Sequence, residues 1–188
     1  MKSLSRNTFA ALAVCGLLAG CGAGDGSPAA ASSAVSTPPS GELTPTDLAY
    51  VELAIPQNES ALAAAELTLK RPGSAPALLA LAQRIDSRYR DELTRLNGVL
   101  SAAGVVNDDQ HEGHDMPGMI TELELRALDQ AQGGAFDEGM TAALRTQVQE
   151  ALTVARSELS AGTAKPVLEL GADIERNRTE LLSLLGAP

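Results

Sequence analysis

Tryptophan is absent from this chain of 188 residues, and Phe and Tyr number only 2 each. Ile and Val are few, whereas 32 Ala and 28 Leu make up nearly a third of the sequence. Strands favour β-branched and aromatic side chains, and helices favour Ala and Leu, so this mixture predicts helix. Cysteine is scarce too: 2 residues support neither a disulfide-rich scaffold nor a four-thiolate zinc site. Positive charge is also short. Against 24 Asp and Glu stand 14 Lys and Arg, a formal charge of −10. Such a chain has no basic stripe for a phosphate backbone, which excludes a nucleic-acid partner. Its length suggests one domain of ordinary size.

The apolar run Phe9–Ala19 covers 11 residues, against the ~20 that a membrane-crossing helix needs. Behind the positive start of Lys2 and Arg6 it reads as an export signal over residues 1–20. Its end, Leu18-Ala19-Gly20-Cys21, resembles the bacterial lipoprotein cleavage box, in which the cysteine becomes the first mature residue and carries lipid. Gly22 follows, so the sorting-related Asp is missing at that position. An ordinary secretory signal with a chance cysteine is the alternative. On the lipoprotein reading Cys15 is discarded and Cys21 acylated, which removes thiol catalysis, redox cycling and cysteine metal sites. One acyl chain anchors only marginally and several anchor stably, and the resemblance implies several. Residues 21–43 then form the lipidated Cys and a tether of small residues, Ser and Pro, too poor in large apolar side chains to fold.

Residues 44–188 carry helical punctuation. Thr44-Pro45-Thr46-Asp47 supplies a cap, a proline at the first helical position and a first-turn carboxylate. The apolar seam Leu48, Val51, Ile55, Leu62, Ala65, Leu69 follows, with Pro56 inside it predicting a local kink. Arg71-Pro72-Gly73 stops this helix, and Ser74 with Pro76 opens the next, whose seam runs from Leu78 through Ile85, Tyr89 and Leu96 to Leu100. A third long helix is expected from about Ala135 to Ala161 and a fourth over roughly 164–185. Between the pairs, the capping box Thr121-Glu122-Leu123-Glu124 announces one short helix.

The halves repeat. At a shift of 90, Gln57, Ala61, Leu62, Leu69 and Pro76 meet Gln147, Ala151, Leu152, Leu159 and Pro166. At a shift of 89, Ile85, Asp91, Leu93 and Leu96 meet Ile174, Glu180, Leu182 and Leu185. A duplicated hairpin (44–103 and 135–186) with a long connection (104–134) predicts an all-α four-helix bundle.

The run His114-Asp115-Met116-Pro117-Gly118-Met119, with Gly134-Ala135-Phe136-Asp137, resembles the "domain of unknown function 305" family of exported bacterial proteins. The hairpin motifs Ala54-Ile55-Pro56 and Ile85-x-x-x-Tyr89-x-x-Glu92-Leu93-x-x-Leu96 share the resemblance, which spans about residues 47–186. It implies a ferritin-like fold. Members of that family usually place a His-His pair one turn into the first helix of each hairpin. Here Gln57 and Asn58 stand in the first pair of positions, and Gln147 and Val148 in the second. By seam spacing Asn58 and Val148 face the interior. A carboxamide is a poor ligand for transition metals and Val is none, so the copper binding associated with some relatives has lost its helical residues. Asn58 is expected to hydrogen-bond within the core, where an unpaired amide costs ~1–3 kcal/mol.

The remaining chemistry is sparse. A di-iron oxidase needs inward Glu residues and two Glu-x-x-His motifs, and no predicted helix contains histidine. Glu52, Glu59 and Glu66 recur at seven-residue spacing, either as a carboxylate metal track or as a flank facing Arg84, Arg88 and Arg95; the flank is the favoured reading. Both histidines, His111 and His114, lie in the connection with Met116 and Met119. No Lys or Arg occurs between Arg95 and Arg126, whereas six acidic residues do. Imidazoles and thioethers in a negative field suit copper, thioethers favouring Cu(I). The other reading of this loop is a solvated surface connection. No glycine elbow or phosphate cradle supports nucleophilic catalysis. Tyr89, Phe136 and Met140 are spaced as core.

The expectation is therefore a non-enzymatic, lipid-anchored envelope protein on the extracytoplasmic side of the membrane. It attaches through lipid on Cys21 and acts by binding, with an envelope protein as candidate partner and no certain cofactor. The alternative is an accessory copper-binding lipoprotein using His111, His114, Met116 and Met119.

Overall fold

The computed structural model of the chain describes residues 42–107 and 116–186. Among them the secondary structure is helical throughout: α1 (Pro45–Lys70), α2 (Pro76–Ala102), α3 (Glu122–Gln130), α4 (Gly134–Ala161) and α5 (Lys165–Leu184). No helix among the described residues is long and apolar enough to cross a membrane. The export signal and the 21–41 part of the tether lie outside the described residues.

Thr44 caps α1 in a reciprocal box with Asp47, and Thr121 caps α3 in the same way with Glu124. Helix α1 continues through Pro56. The α2 start differs from the sequence expectation. Its N-cap is Ala75, and Ser74 instead turns its hydroxyl back to the carbonyls of Arg71 and Thr68. The missing acceptor comes from another helix: both Asp137 carboxylate oxygens accept from the Ala75 N–H, at 3.2 and 3.3 Å. Asp47 does the same for α5, Oδ1 accepting from Thr163 and Ala164 N–H at 2.9 and 3.0 Å. Asp47 and Asp137 are equivalent at the repeat shift of 90. Each hairpin's first helix thus caps the second helix of the other hairpin.

α1 packs against α2 and α4, and α5 against α4 and α2; short α3 leans on α4 and α1. Arg71 fixes the end of α3, donating to the carbonyls of Asp129 and Ala131 while its guanidinium lies 4.0 Å over the Phe136 ring. The buried apolar side chains form two clusters. One includes Leu62, Ile85, Tyr89, Phe136, Val148 and Leu181, and the other Val51, Ile55, Leu96, Leu100, Val167 and Ile174. Each large aliphatic removed from water adds ~1.5–3 kcal/mol. Along α1, α2 and α5 the boundary between the clusters falls at Asn58, Glu92 and Arg178, all at or below 2% exposure. A polar layer divides the core.

Within the acidic flank, Glu66 takes partners other than those expected. Glu66 pairs with Arg90 at 2.8 Å and with Lys70 at 3.2 Å. Arg84 and Arg88 reach Glu180 on α5, and Arg95 reaches Asp173 there at 2.7 Å. An arginine on α2 has two helical neighbours, and these three face the second.

Candidate functional site

The four positions singled out by the expected family pattern are all interior: Gln57, Asn58 and Gln147 are 1% exposed and Val148 is 0% exposed. Three of them join one polar chain through the core, hydrogen-bonded except for a single cation–π link. Asn58 Nδ2 donates to Glu92 Oε2 at 3.0 Å, and its Oδ1 accepts from Arg178 Nη2 at 2.7 Å. Arg178 grips Glu92 with both prongs, Nη1 to Oε1 at 3.0 Å and Nη2 to Oε2 at 2.7 Å. Asn177 adds a second donor to Glu92 Oε1 at 2.8 Å. The guanidinium lies 3.7 Å over the Tyr89 ring, and Tyr89 donates its hydroxyl to Gln147 Oε1 at 3.0 Å. Gln147 Nε2 then donates to the Gln57 carbonyl at 3.2 Å.

The repeat explains this geometry. Gln57 and Gln147 are equivalents that touch, and so are Tyr89 and Arg178. The equivalents of Asn58 and Glu92 are Val148 and Leu181, which pack in the apolar cluster. One half of the central layer is therefore polar, the other apolar. Arg178 reaches from the apolar hairpin to neutralise the polar one.

Burial opposes the charge on Arg178, but Tyr89 and Glu92 beside it raise its pKa and keep it protonated. Burial likewise pushes the Tyr89 phenol well above its ordinary range. The Arg178–Glu92 pair, covered by the protonated Tyr89 phenol, is a buried ion pair held within the core. Among the described residues no three His, Cys, Asp or Glu side chains gather as a metal site.

The connection docks over this layer. Gln57 Nε2 donates to the Pro117 carbonyl at 2.9 Å, and the Ile120 N–H donates to Ser60 Oγ at 3.2 Å. Gly118 makes the approach possible: its φ is +80°, and a Cβ there would lie 2.7 Å from Glu150 Cβ and 2.9 Å from Gln57 Nε2. Met116 and Met119 flank this glycine on one turn, closed by the Met119 N–H donating to the Met116 carbonyl at 3.0 Å. Both are half-buried. Met119, Gln147, Ile120 and Leu128 help line a groove of about 390 Å³ between this segment and α4. The structure thus brings Met119 and Gln147 to one groove, which the sequence presented as separate features. His111, His114 and Cys21 lie outside the described residues.

Glu92 and Arg178 were not singled out from the sequence as site residues. The signal was present: Ile174, Arg178 and Leu181 share one helical face, so a charge occupies an apolar seam.

The family model described as domain of unknown function (DUF305) matches residues 47–186, well over half of the chain. Two solved structures share the fold. A DUF305 fragment from Deinococcus radiodurans is 18% identical with a TM-score of 0.67, the match covering 77% of this chain and 95% of that one. A DUF305 protein from Streptomyces coelicolor, whose name carries the word secreted, is 14% identical with a TM-score of 0.66, covering 74% and 89%. At such identities the likeness shows the fold alone. No curated protein matches.

Proposed function

The chain belongs to the DUF305 family of domains of unknown function, and from that premise we propose a ferritin-like four-helix bundle whose role outside the cytoplasm is binding, not catalysis. Lipid on Cys21 holds it to the membrane, and an envelope protein is its partner. One observation carries the non-catalytic reading. Gln57, Asn58 and Gln147 are committed to hydrogen bonds inside the core, with Glu92 and Arg178 neutralising one another among them. Groups so engaged serve the fold and leave the outer surface for recognition. The word secreted in the name of the Streptomyces relative supports an extracytoplasmic place.

Fractionation tests the anchor: the wild-type chain should sediment with membranes, and Cys21→Ala should move to the soluble fraction. Capture from detergent-solubilised envelope should return the same partner with wild type and with His111→Ala/His114→Ala. A second reading has its own observation, the backbone turn that joins Met116 to Met119, a short way along the sequence from His111 and His114. Thioethers with imidazole suit Cu(I). Copper measured by mass spectrometry in protein taken from its own envelope separates the two. One copper per chain, lost in the double histidine variant, would establish the copper role over the first.

A further inference from the structure

The two hairpins differ at a further buried pair of equivalents, Thr68 and Glu158. Thr68 is satisfied, its hydroxyl donating to the Ala64 carbonyl at 3.0 Å. Glu158 is not. It is 2% exposed, and neither carboxyl oxygen has a hydrogen-bond partner. The carboxyl folds over the α4–α5 turn so closely that a Cβ on Gly162 would come within 1.9 Å of Oε1. Asp47 reaches the same turn from α1, accepting from Thr163 and Ala164 through Oδ1, and from Thr44 through Oδ2. The Tyr50 hydroxyl is a third orphan: a Cβ on Gly171 would lie 3.8 Å from it and 3.6 Å from Glu158 Cγ.

Two buried carboxylates at one turn cannot both remain ionised cheaply. Asp47 has the donors. Burial pushes its pKa up, but the Thr44 hydroxyl and the N–H groups of Ala164, Thr163 and Thr44 outweigh burial and hold it well below the ordinary range. Glu158 has none when ionised; protonated, its carboxyl gains an O–H directed to Asp47.

We propose that Glu158 is a proton-operated latch: protonated, it ties the α4–α5 turn to the start of α1, and ionised, it repels Asp47 and frees the turn. Burial foremost, then Asp47, pushes the Glu158 carboxyl up to about 7, so the latch switches near neutral pH. The groups that face it are Asp47 and Tyr50 from α1; beyond the Tyr50 hydroxyl stand Arg178 from α5 and Glu92 from α2. Lys165, at the start of α5, is exposed and turned to Glu169. Helix α3 meets α4 at its other end, where Leu128 faces Gly139. The latch does not rest on the binding role proposed above.

The full chain, carboxyl-labelled with carbon-13, should show one Glu carbon titrating near pH 7 that disappears in Glu158→Gln. Hydrogen exchange supplies the second measurement. After correction for intrinsic base catalysis, protection of the Thr163 and Ala164 amides should fall about tenfold or more between pH 5.5 and 8.5. The Ala75 amide is the internal control, because Asp137 caps it while Thr68 stands in the place of Glu158. It should hold its protection, and Glu158→Gln should flatten the response at the turn. Titration of Glu158 below pH 5, or equal losses at Ala75 and Ala164, would overturn the latch. So would a pH response that survives in Glu158→Gln. Should that variant not fold, assignment of the wild-type carboxyl carbons through their own side chains, with the Ala75 comparison, decides the matter.

Discussion

Arg178 is the side chain whose removal the core would feel most. It is wholly buried, holds Glu92 in a two-pronged pair, bonds Asn58 and lies flat on Tyr89. Arg178→Met keeps most of the volume but strands a buried carboxylate, so urea unfolding should show a loss of ~3–5 kcal/mol. Arg178→Lys should lose a substantial part of that, since an ammonium cannot reproduce the fork or the stacking. The double variant Glu92→Leu/Arg178→Met should recover part of the stability, because the charge and its partner leave together and Leu181 already lines the equivalent position in apolar surroundings, while the Asn58 amide, left without either partner, withholds ~1–3 kcal/mol. A double variant as weak as Arg178→Met alone would show that the pair itself stabilises the fold. This residue also marks how far sequence reading reaches. A charge within an apolar seam is visible in the spacing, and so is the interior placement of Asn58. That Arg178 would cross to Glu92, 86 positions away, depends on which helices become neighbours, and no local pattern encodes that.

The helices owe their ends to one another. Asp47 and Asp137 are both first-turn acids and repeat equivalents, and each caps the opposite hairpin's second helix. Ala75 and Ala164 have no side chain with which to cap themselves. Asp137→Ala should therefore destabilise by about 0.5–2 kcal/mol, the range of a lost cap, although residue 137 lies outside α2. Amide exchange should locate the loss at Ala75 and the first turn of α2, and an effect confined to α4 would contradict the cross-cap. Periodicity and punctuation placed the helices, and the repeat paired them into hairpins, because both are local or self-similar signals. The caps were legible only as first-turn acids. The same ambiguity moved Arg84, Arg88 and Arg95 from the expected acidic flank to Glu180 and Asp173, since a surface arginine chooses between two adjacent helices by geometry.

At the scale of the molecule, composition made the helical class plain, yet net charge said little about where acidity matters. Most acidic groups with lowered pKa owe the shift to surface pairs: Glu66 is held down by Arg90 and Lys70, and Asp173 by Arg95. Such pairs are solvent-screened and contribute little. Two buried acids at one end of the fold should set the pH profile instead, with opposite signs. Asp47 has a depressed folded pKa, so its contribution is present above the unfolded value of ~4 and lost as pH falls below it. Glu158 has a raised one, from 4.5 to about 7. Its contribution is complete below the unfolded value and disappears as pH rises through about 7. The unfolding free energy of the full chain, measured in urea from pH 3 to 9, should therefore peak between about 4.5 and 6. Glu158→Gln should abolish the decline on the neutral side and leave the acid side intact, whereas Asp47→Asn should abolish the acid limb from a lower plateau and weaken the neutral-side decline, because Asp47 no longer repels the ionised Glu158. A wild-type stability that climbs from pH 6 to 9 would contradict the raised Glu158. An unchanged acid limb in Asp47→Asn would shift that role to the surface pairs. Both acids meet at the α4–α5 turn and the start of α1, so each limb should be visible there by amide exchange before the whole domain yields.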